Sequence, residues 1–218
     1  MGNRTKKIFV GLCIVTGIAL MVVPFYCHFH GQKETDRLIE QFEQTFQDDE
    51  DGTEESEKEG EELASLSQED ATLLSEEDVI GIIEIEAIDI RYPVLEGAGN
   101  SQIRYAIGHI TETAGLGEKG NCVLCGHNGS RNGAFFSNLN QLSAGDKVKI
   151  TVKEGKVHMY EVADTCIIGP YDNTVKNQSD EEILTLLTCA NQGTKRFICH
   201  CTPVKETGDA DEKNMQIR

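Results

Sequence analysis

The stretch Leu184–Arg196, LTLLTCANQGTKR, joins an apolar strand pattern to a short polar loop and a second apolar run. Because side chains alternate between the two faces of a strand, every second residue here shares a face. Cys189 shares its face with Thr185 and Leu187, and the opposite face carries Leu184, Leu186 and Thr188. The pattern therefore predicts a cysteine at the exposed end of a buried strand, with Arg196 beside it once the loop turns back.

A histidine ends another apolar run upstream, in Val123–His127, VLCGH. A thiol becomes a nucleophile as the thiolate, which cationic neighbours favour. A histidine titrates near neutral pH, so it can protonate a leaving amine and later deprotonate an attacking one. An arginine can donate hydrogen bonds to the oxyanion of a tetrahedral intermediate. A strand cysteine alone is more often a core residue, but His127, Cys189 and Arg196 together indicate a thiol enzyme that handles an acyl group.

The net charge of −17 is concentrated in one segment. Residues 31–80 hold 19 of the 37 acidic residues and only three basic ones, and the remainder of the chain is close to neutral. The acidity therefore says little about substrates. No basic stripe with interleaved aromatic residues occurs, so we expect no nucleic-acid partner.

Residues 8–29 form a run of 22 mostly apolar positions without Asp, Glu, Lys or Arg. At a rise of about 1.5 Å per residue the run spans roughly 33 Å as a helix, enough to cross a bilayer core. Basic residues precede it and acidic residues follow it, which favours a cytoplasmic N-terminus. A cleaved signal peptide is the alternative, but no small-x-small site follows the run. We predict a basic cytoplasmic tail (1–7), a single-pass membrane anchor (8–29) and an extracellular catalytic domain.

Residues 30–78 are predicted to be an acidic spacer, partly helical or disordered. Thr35–Gln47 places Leu38, Ile39, Phe42 and Phe46 at helical spacing. Residues 48–62 lack apolar side chains and carry like charges, as in disordered segments, and 63–74 could form another brief helix. We expect the spacer to lift the catalytic domain off the membrane.

Strand signals dominate residues 79–206, the predicted catalytic domain, which precedes a polar tail (207–218). The expected strands include residues 80–83, 92–95, 147–153, 157–168 and 184–189. Phe136, Leu139 and Leu142 predict one short helix, and a capping box at 179–182 predicts a helical turn before the last of these strands. Many short strands with few helices favour a closed or nearly closed β-barrel, in a mainly β protein.

Three blocks occur in order: GNxVLxGH at Gly120–His127, FxxLxxLxxGD at Phe136–Asp146 and TLLTC with a following arginine at Thr185–Arg196. Over roughly residues 80–205 the chain resembles the sortase family of cysteine transpeptidases. The resemblance implies an eight-stranded β-barrel in which Cys189 is the nucleophile, His127 the general acid and base, and Arg196 the residue that orients the oxyanion and substrate. It also places Thr188 in the substrate groove.

The reaction that this resemblance implies is cleavage of an LPXTG-like C-terminal sorting signal after its threonine, through a thioacyl-enzyme. The acyl group then passes to an amine of a cell-wall precursor or a pilin, at the outer face of a Gram-positive membrane. No cofactor is implied, and no metal, because the carboxylate cluster of one calcium-binding subtype has no counterpart before His127. The chain shows no Asp-Pro-aromatic lid motif, which favours a class A-like or class D-like enzyme.

Other histidines and cysteines offer competing sites. His109 is the main rival of His127, but it follows no clear strand and could simply line the groove, whereas His158 and His200 fall within strand patterns. Cys122 and Cys125, three apart in a strand, point to opposite faces and suit a shared zinc ion poorly. Disulfides stay open among the five cysteines Cys122, Cys125, Cys166, Cys199 and Cys201.

Two other functions remain as alternatives. A cell-wall cysteine peptidase would hydrolyse without transfer, although papain-like enzymes place cysteine before histidine in the chain, and the Ser-His-Gly-Cys block of L,D-transpeptidases is absent. A membrane-tethered interaction domain would carry an inert cysteine.

Overall fold

The computed structural model describes residues 3–48, 79–129 and 134–204, which contain one long helix and eight strands. The helix is α1 (Asn3–Asp48). The strands are β1 (Val79–Ile85), β2 (Ile90–Glu96), β3 (Ile107–His109), β4 (Gly120–Gly126), β5 (Lys147–Val152), β6 (Val157–Ile168), β7 (Glu182–Ala190) and β8 (Lys195–Pro203).

The eight strands close into a barrel in the order β1-β2-β3-β4-β7-β8-β6-β5. β2 pairs with β3 and β4 pairs with β7 in parallel, and the other neighbours are antiparallel. The prediction of an eight-stranded β-barrel is confirmed. Closure gives every strand a paired neighbour on each side.

Alternation along each strand separates the barrel interior from its outer surface. In β7, Leu184 and Leu186 are fully buried in the interior, where they pack with Leu124 of β4 and Cys199 of β8. The alternate residue Leu187 contacts a separate apolar cluster on the outer surface. The predicted division of β7 into two faces is therefore confirmed.

The connections around β7 determine which strand ends meet. Because β4 and β7 are parallel, their C-terminal ends lie side by side, and the ladder ends at Gly126 and Thr188. β7 and β8 are joined by a tight loop in which Asn191, Gln192 and Gly193 all have positive φ, at 49°, 56° and 87°. These three residues with left-handed backbone conformation reverse the chain direction within the loop, so β8 pairs antiparallel with β7.

Two local predictions differ from the structure. The helical turn expected at 179–182 is wrong: Ser179 Oγ does accept from the N–H of Glu181 (3.0 Å), but the chain extends directly into β7. Glu182 is already paired with Gly120 of β4, so strand pairing overrides the local capping signal. A 3-10 turn forms earlier instead, at Asn173–Lys176, capped by Asp172.

The predicted short helix around Phe136 is a 3-10 turn at Leu139–Gln141. Phe136, Leu139 and Leu142 all reach the barrel core, as their spacing of three predicts.

The C-terminal part of α1 packs against the outside of the barrel. Leu38, Ile39 and Phe42 are buried there against a patch from β1, β2 and the segment before β3, formed by Val79, Ile82, Leu95 and Ala106. Thr35 Oγ1 donates to the carbonyl oxygen of Tyr105 (2.9 Å), and Glu43 pairs with Arg91. This part of the predicted spacer is thus docked on the barrel.

In the described residues, no helix combines the length and the apolar character needed to cross a membrane. The membrane helix predicted at 8–29 is therefore not shown. The predictions for residues 49–78 and for the tail 207–218 lie outside the described residues.

Candidate active site

The three predicted catalytic residues lie at adjoining strand ends on the outer surface of the barrel. Cys189 of β7 is directly opposite Arg196 of β8 in the antiparallel ladder, so their Cβ atoms are about 5 Å apart. His127 follows Gly126, the last β4 residue of the parallel ladder, as Cys189 follows Thr188 on β7. All three side chains are partly exposed. The structure brings the three residues that the sequence predicts to neighbouring strand ends.

The guanidinium of Arg196 is held by the loop that joins β7 to β8. Its Nη1 donates to the carbonyl oxygens of Gly193 (2.9 Å) and Lys195 (3.0 Å). Among the described residues these are its only hydrogen bonds, which leaves Nε and Nη2 for another acceptor. The arrangement suits a donor to an oxyanion formed at Cys189.

An aromatic pair supports His127 from the side away from the thiol strand. The Phe135 ring meets the imidazole edge-on, with 6.4 Å between ring centroids, and stacks on Tyr92 of β2 at 4.8 Å. Tyr92 Oη in turn accepts a hydrogen bond from the backbone N–H of Ala134. Phe135 has a φ of 41°, a conformation that a bulky residue adopts only when its surroundings compensate the strain.

Cys125 is a second thiol beside Cys189. It lies two residues before His127 on the same strand face, and its register partner is Leu187, two residues before Cys189. Burial, with a smaller contribution from negative charge at Cys189, raises the pKa of the Cys125 thiol to about 11. Cys125 therefore stays protonated near neutral pH, and does not compete with Cys189 as a nucleophile.

Thr188 does not lie where the resemblance placed it. Its side chain is 1% exposed, and Oγ1 donates to the carbonyl oxygen of Gly126 (2.9 Å). The physical reason is strand alternation: Thr188 is on the interior face of β7, so its hydroxyl holds β7 to β4 and forms no groove wall.

His109, the rival of His127, is buried and fully engaged. Contrary to prediction, it is on a strand, the short β3, and it is only 3% exposed. Nδ1 lies 3.0 Å from Glu96 Oε2 and Nε2 lies 2.9 Å from the Ala114 carbonyl oxygen. With both ring nitrogens bonded inside the protein, His109 cannot exchange protons with a substrate. His158 and His200 also have carboxylate partners, Glu182 and Asp164.

The remaining barrel cysteines are free thiols, and three of them are in the interior. Cys199 and Cys201 face inward with their sulfurs 3.8 Å apart, and Cys122 is in the same core. Burial raises the pKa of Cys122 to about 12, and the hydrogen bond between Cys201 and Cys199, together with burial, raises the pKa of Cys201. In the described ranges no group of three or more His, Cys, Asp or Glu side chains could hold a metal ion.

Comparison with known proteins agrees with this geometry. The Sortase domain family model matches residues 83–204, more than half of the chain and nearly the whole barrel. The chain belongs to the sortase family. Sortases are cysteine transpeptidases, and the barrel with its His127, Cys189 and Arg196 cluster is of that kind.

Individual sortases show how far the likeness extends. Sortase A of Streptococcus agalactiae serotype III (strain NEM316) is 30% identical over 148 residues, which are 63% of this chain and 59% of that protein. The match thus spans about three fifths of that relative's length. Sortase A of Bacillus anthracis is 26% identical over 198 residues, 90% of this chain and 93% of that protein. The solved structure of a Clostridium perfringens sortase D5 transpeptidase superposes with a TM-score of 0.58 at 28% identity, covering 79% of this chain and 97% of that one.

Sequence reasoning missed two polar neighbours of the sortase site. The sequence indicates Cys125 as a possible metal ligand or disulfide partner, and its position two residues before His127 also predicts the same strand face. Asn128 carries a side-chain amide directly after a strand-end histidine, from where it can reach a neighbouring strand. Its Nδ2 donates to the backbone carbonyl oxygen of Cys189 (2.6 Å).

Proposed function

We propose that this sortase cleaves an LPXTG-like C-terminal sorting signal through a thioacyl-enzyme and transfers the acyl group to an amine. One observation carries the proposal: the strand register places Cys189 opposite Arg196 and next to the strand end that bears His127. This juxtaposition is difficult to explain for an inert cysteine.

In the first half-reaction the Cys189 thiolate attacks the carbonyl carbon of the signal's threonine. The electron pair of the carbonyl moves to its oxygen, and the free N–H groups of Arg196 stabilise that oxyanion. His127 donates a proton to the departing amine as the carbon–nitrogen bond breaks. The products are a thioester on Cys189 and the released C-terminal fragment.

In the second half-reaction an acceptor amine attacks the thioester carbonyl. His127, now deprotonated, takes the proton of the attacking nitrogen, and the Cys189 thiolate leaves. A new amide bond forms and the enzyme returns to its starting state. Attack by water in place of the amine would give simple hydrolysis.

An apolar row beside the site supports recognition of an apolar peptide. Leu187, Ile198 and Cys166 lie in register across β7, β8 and β6, one row from Cys189 and Arg196 on the same outer face. Val175, from the connection between β6 and β7, packs over this row. We propose that the leucine and proline of the signal contact this surface.

A fluorogenic peptide tests the proposal. The full-length protein in detergent would be incubated with an LPXTG peptide between fluorophore and quencher, with and without triglycine. We expect amine-dependent release and a peptide–triglycine product in the mass spectrum, both absent in Cys189→Ala and severely reduced in His127→Ala. Cleavage without the amide product would identify a peptidase, and no cleavage by the wild-type protein across varied sorting peptides would favour an interaction domain.

The class of sortase is also a proposal. The similar proteins described above are named sortase A and sortase D5, and a class A-like or class D-like enzyme agrees with both. We propose surface proteins or pilins with sorting signals as donors and a cell-wall precursor or pilin amine as acceptor. Comparing triglycine with a wall-type side-chain amine as acceptor would separate these two.

We propose that residues 8–29 anchor the enzyme in the membrane of a Gram-positive cell, with the N-terminus in the cytoplasm. Large apolar side chains in the described part of this run, including Leu12, Ile18 and Met21, are exposed. A helix that is apolar all round needs a lipid or protein environment. We expect the full chain in the carbonate-washed membrane fraction and a variant lacking residues 1–30 in the soluble fraction. Recovery of both in the soluble fraction would contradict the anchor.

A further inference from the structure

Two side-chain hydrogen bonds cross between β4 and β7 where their backbone ladder ends. Thr188 Oγ1 of β7 donates to the carbonyl oxygen of Gly126, and Asn128 Nδ2 donates to the carbonyl oxygen of Cys189 (2.6 Å). The first bond is donated from β7 to β4, and the second is donated from the segment after β4 to β7. His127 lies between the two β4 partners, and Cys189 is itself one of the β7 partners.

The Asn128 bond can form in only one orientation of the amide. A backbone carbonyl oxygen is an acceptor, so it must meet the NH₂ group, because the amide oxygen there would be repelled. The bond therefore depends on a donor at position 128. Aspartate or leucine, which resemble asparagine in size, cannot supply it.

The segment around Asn128 is also held from the opposite side. Asn128 forms an isolated bridge with Phe135, and the N–H of Phe136 donates to the His127 carbonyl oxygen (3.0 Å). His127 is thus tied to the Phe135 segment by backbone and to the nucleophile's strand through Asn128. Removing the Asn128 amide breaks the connection to β7 and leaves the backbone connection to the Phe135 segment.

We propose that Asn128 is a positioning residue that holds the His127 imidazole at the distance from the Cys189 sulfur that proton transfer needs. The inference rests on the proposed transfer function. Asn128 is exposed, and an exposed hydrogen bond adds little to global stability. Its effect falls on geometry, since a displacement of about 1 Å between reacting groups can lower a rate about 100-fold.

Three variants test the role of the donor. In the peptide transfer assay we expect Asn128→Leu to lower kcat by about 10- to 100-fold with KM within about twofold. Asn128→Gln, which keeps an amide donor on a longer side chain, should recover part of the loss. Asn140→Leu, a matched change at an exposed asparagine in the 3-10 turn after Phe136, should retain wild-type kcat. The melting temperatures of all three should stay close to that of the wild type.

A second measurement does not need the peptide substrate. The rate of Cys189 alkylation by iodoacetamide, followed by peptide mapping across pH, reports the coupling of the sulfur to His127. We expect Asn128→Leu to shift the midpoint of this curve in the same direction as His127→Ala, and Asn140→Leu to leave it unchanged. If the wild type transfers no acyl group but the curve still depends on Asn128, the proposed function fails and the positioning role stands. Wild-type kcat and an unshifted curve in Asn128→Leu, or equal losses in the Leu and Gln variants, would overturn the proposal.

Discussion

The outer and inner faces of β4, β7 and β8 place their cysteines in different environments. On the outer face, β4, β7 and β8 present Cys125, Cys189 and Arg196 at the strand ends, where side chains are partly exposed. On the inner face, β4 and β8 bury Cys122, Cys199 and Cys201 among leucines and isoleucines. A shift of one residue along a strand thus separates the proposed nucleophile from a thiol that only packs in the core. The lesson is that a thiol's role here follows from its face and its depth along the strand.

Replacing the outer-face Cys189 and the inner-face Cys199 by alanine should give the largest difference in activity between the two faces. Cys189→Ala should lower peptide cleavage and transfer by more than about 10⁴-fold, because no other group can form the thioester. Its melting temperature should barely change. The inward control Cys199→Ala should keep wild-type activity and lose about 1 kcal/mol in a denaturant titration. Full activity in Cys189→Ala would show that the outer face does not carry the nucleophile.

Lysine at position 196 sharpens the comparison within the outer face. Arg196→Lys should lower kcat/KM by about 10²- to 10³-fold. A planar guanidinium can bond the Gly193 and Lys195 carbonyls and an oxyanion at the same time, whereas a lysine ammonium lacks this fixed arrangement of donors. Lys195→Ala, a change at the neighbouring exposed side chain, should reduce kcat/KM only slightly. Steady-state kinetics on the fluorogenic peptide would measure both. Comparable losses in the two variants would argue against a specific role for the guanidinium.

Adjacent leucines of β7 provide a matched pair across the sheet. Leu186→Ala, which empties part of the interior, should cost about 2–5 kcal/mol of unfolding free energy and leave KM near the wild-type value. Leu187→Ala, on the partly buried outer cluster, should cost less stability and raise KM for the peptide. Chemical denaturation and steady-state kinetics distinguish them. The reverse assignment of stability and KM effects would place the peptide surface elsewhere.

The decrease in unfolding free energy at alkaline pH should depend on the ionisation of the buried thiols. Burial raises the pKa of Cys122 to about 12, with smaller contributions from the charges of Glu96, Glu118 and Glu182. The folded state therefore favours the protonated thiol, so this stabilisation is complete below the unfolded pKa of about 8.5 and is lost as pH rises towards 12. Each such thiol contributes a slope of about 1.4 kcal/mol per pH unit between these values.

Cys122→Ala should accordingly flatten the fall in unfolding free energy between about pH 9 and 11. Leu124→Ala, on the same strand and in the same core, should lower stability at every pH without changing the slope. Urea titrations at several pH values would measure both variants. A slope unchanged by Cys122→Ala would mean that this thiol does not ionise on unfolding in that range.

Prediction from sequence succeeded where the signal was periodic and local. The alternation of residues 184–189 and 147–153 assigns their faces correctly, because a strand has only two. It failed where tertiary contacts compete with local preference. The capping box at 179–182 yields to pairing of Glu182 with Gly120, and His109 becomes a buried partner of Glu96 on a three-residue strand too short to recognise.

The amino-acid sequence by itself determined the longer strands, their faces and the candidate thiol, imidazole and guanidinium, because these depend on neighbouring residues and on side-chain chemistry. Only the tertiary structure decided that β4 and β7 are parallel neighbours, that Thr188 and Asn128 cross-link their ends and that α1 docks on the barrel. Contacts between residues about sixty positions apart leave no local periodic trace, so they emerge only when the barrel closes.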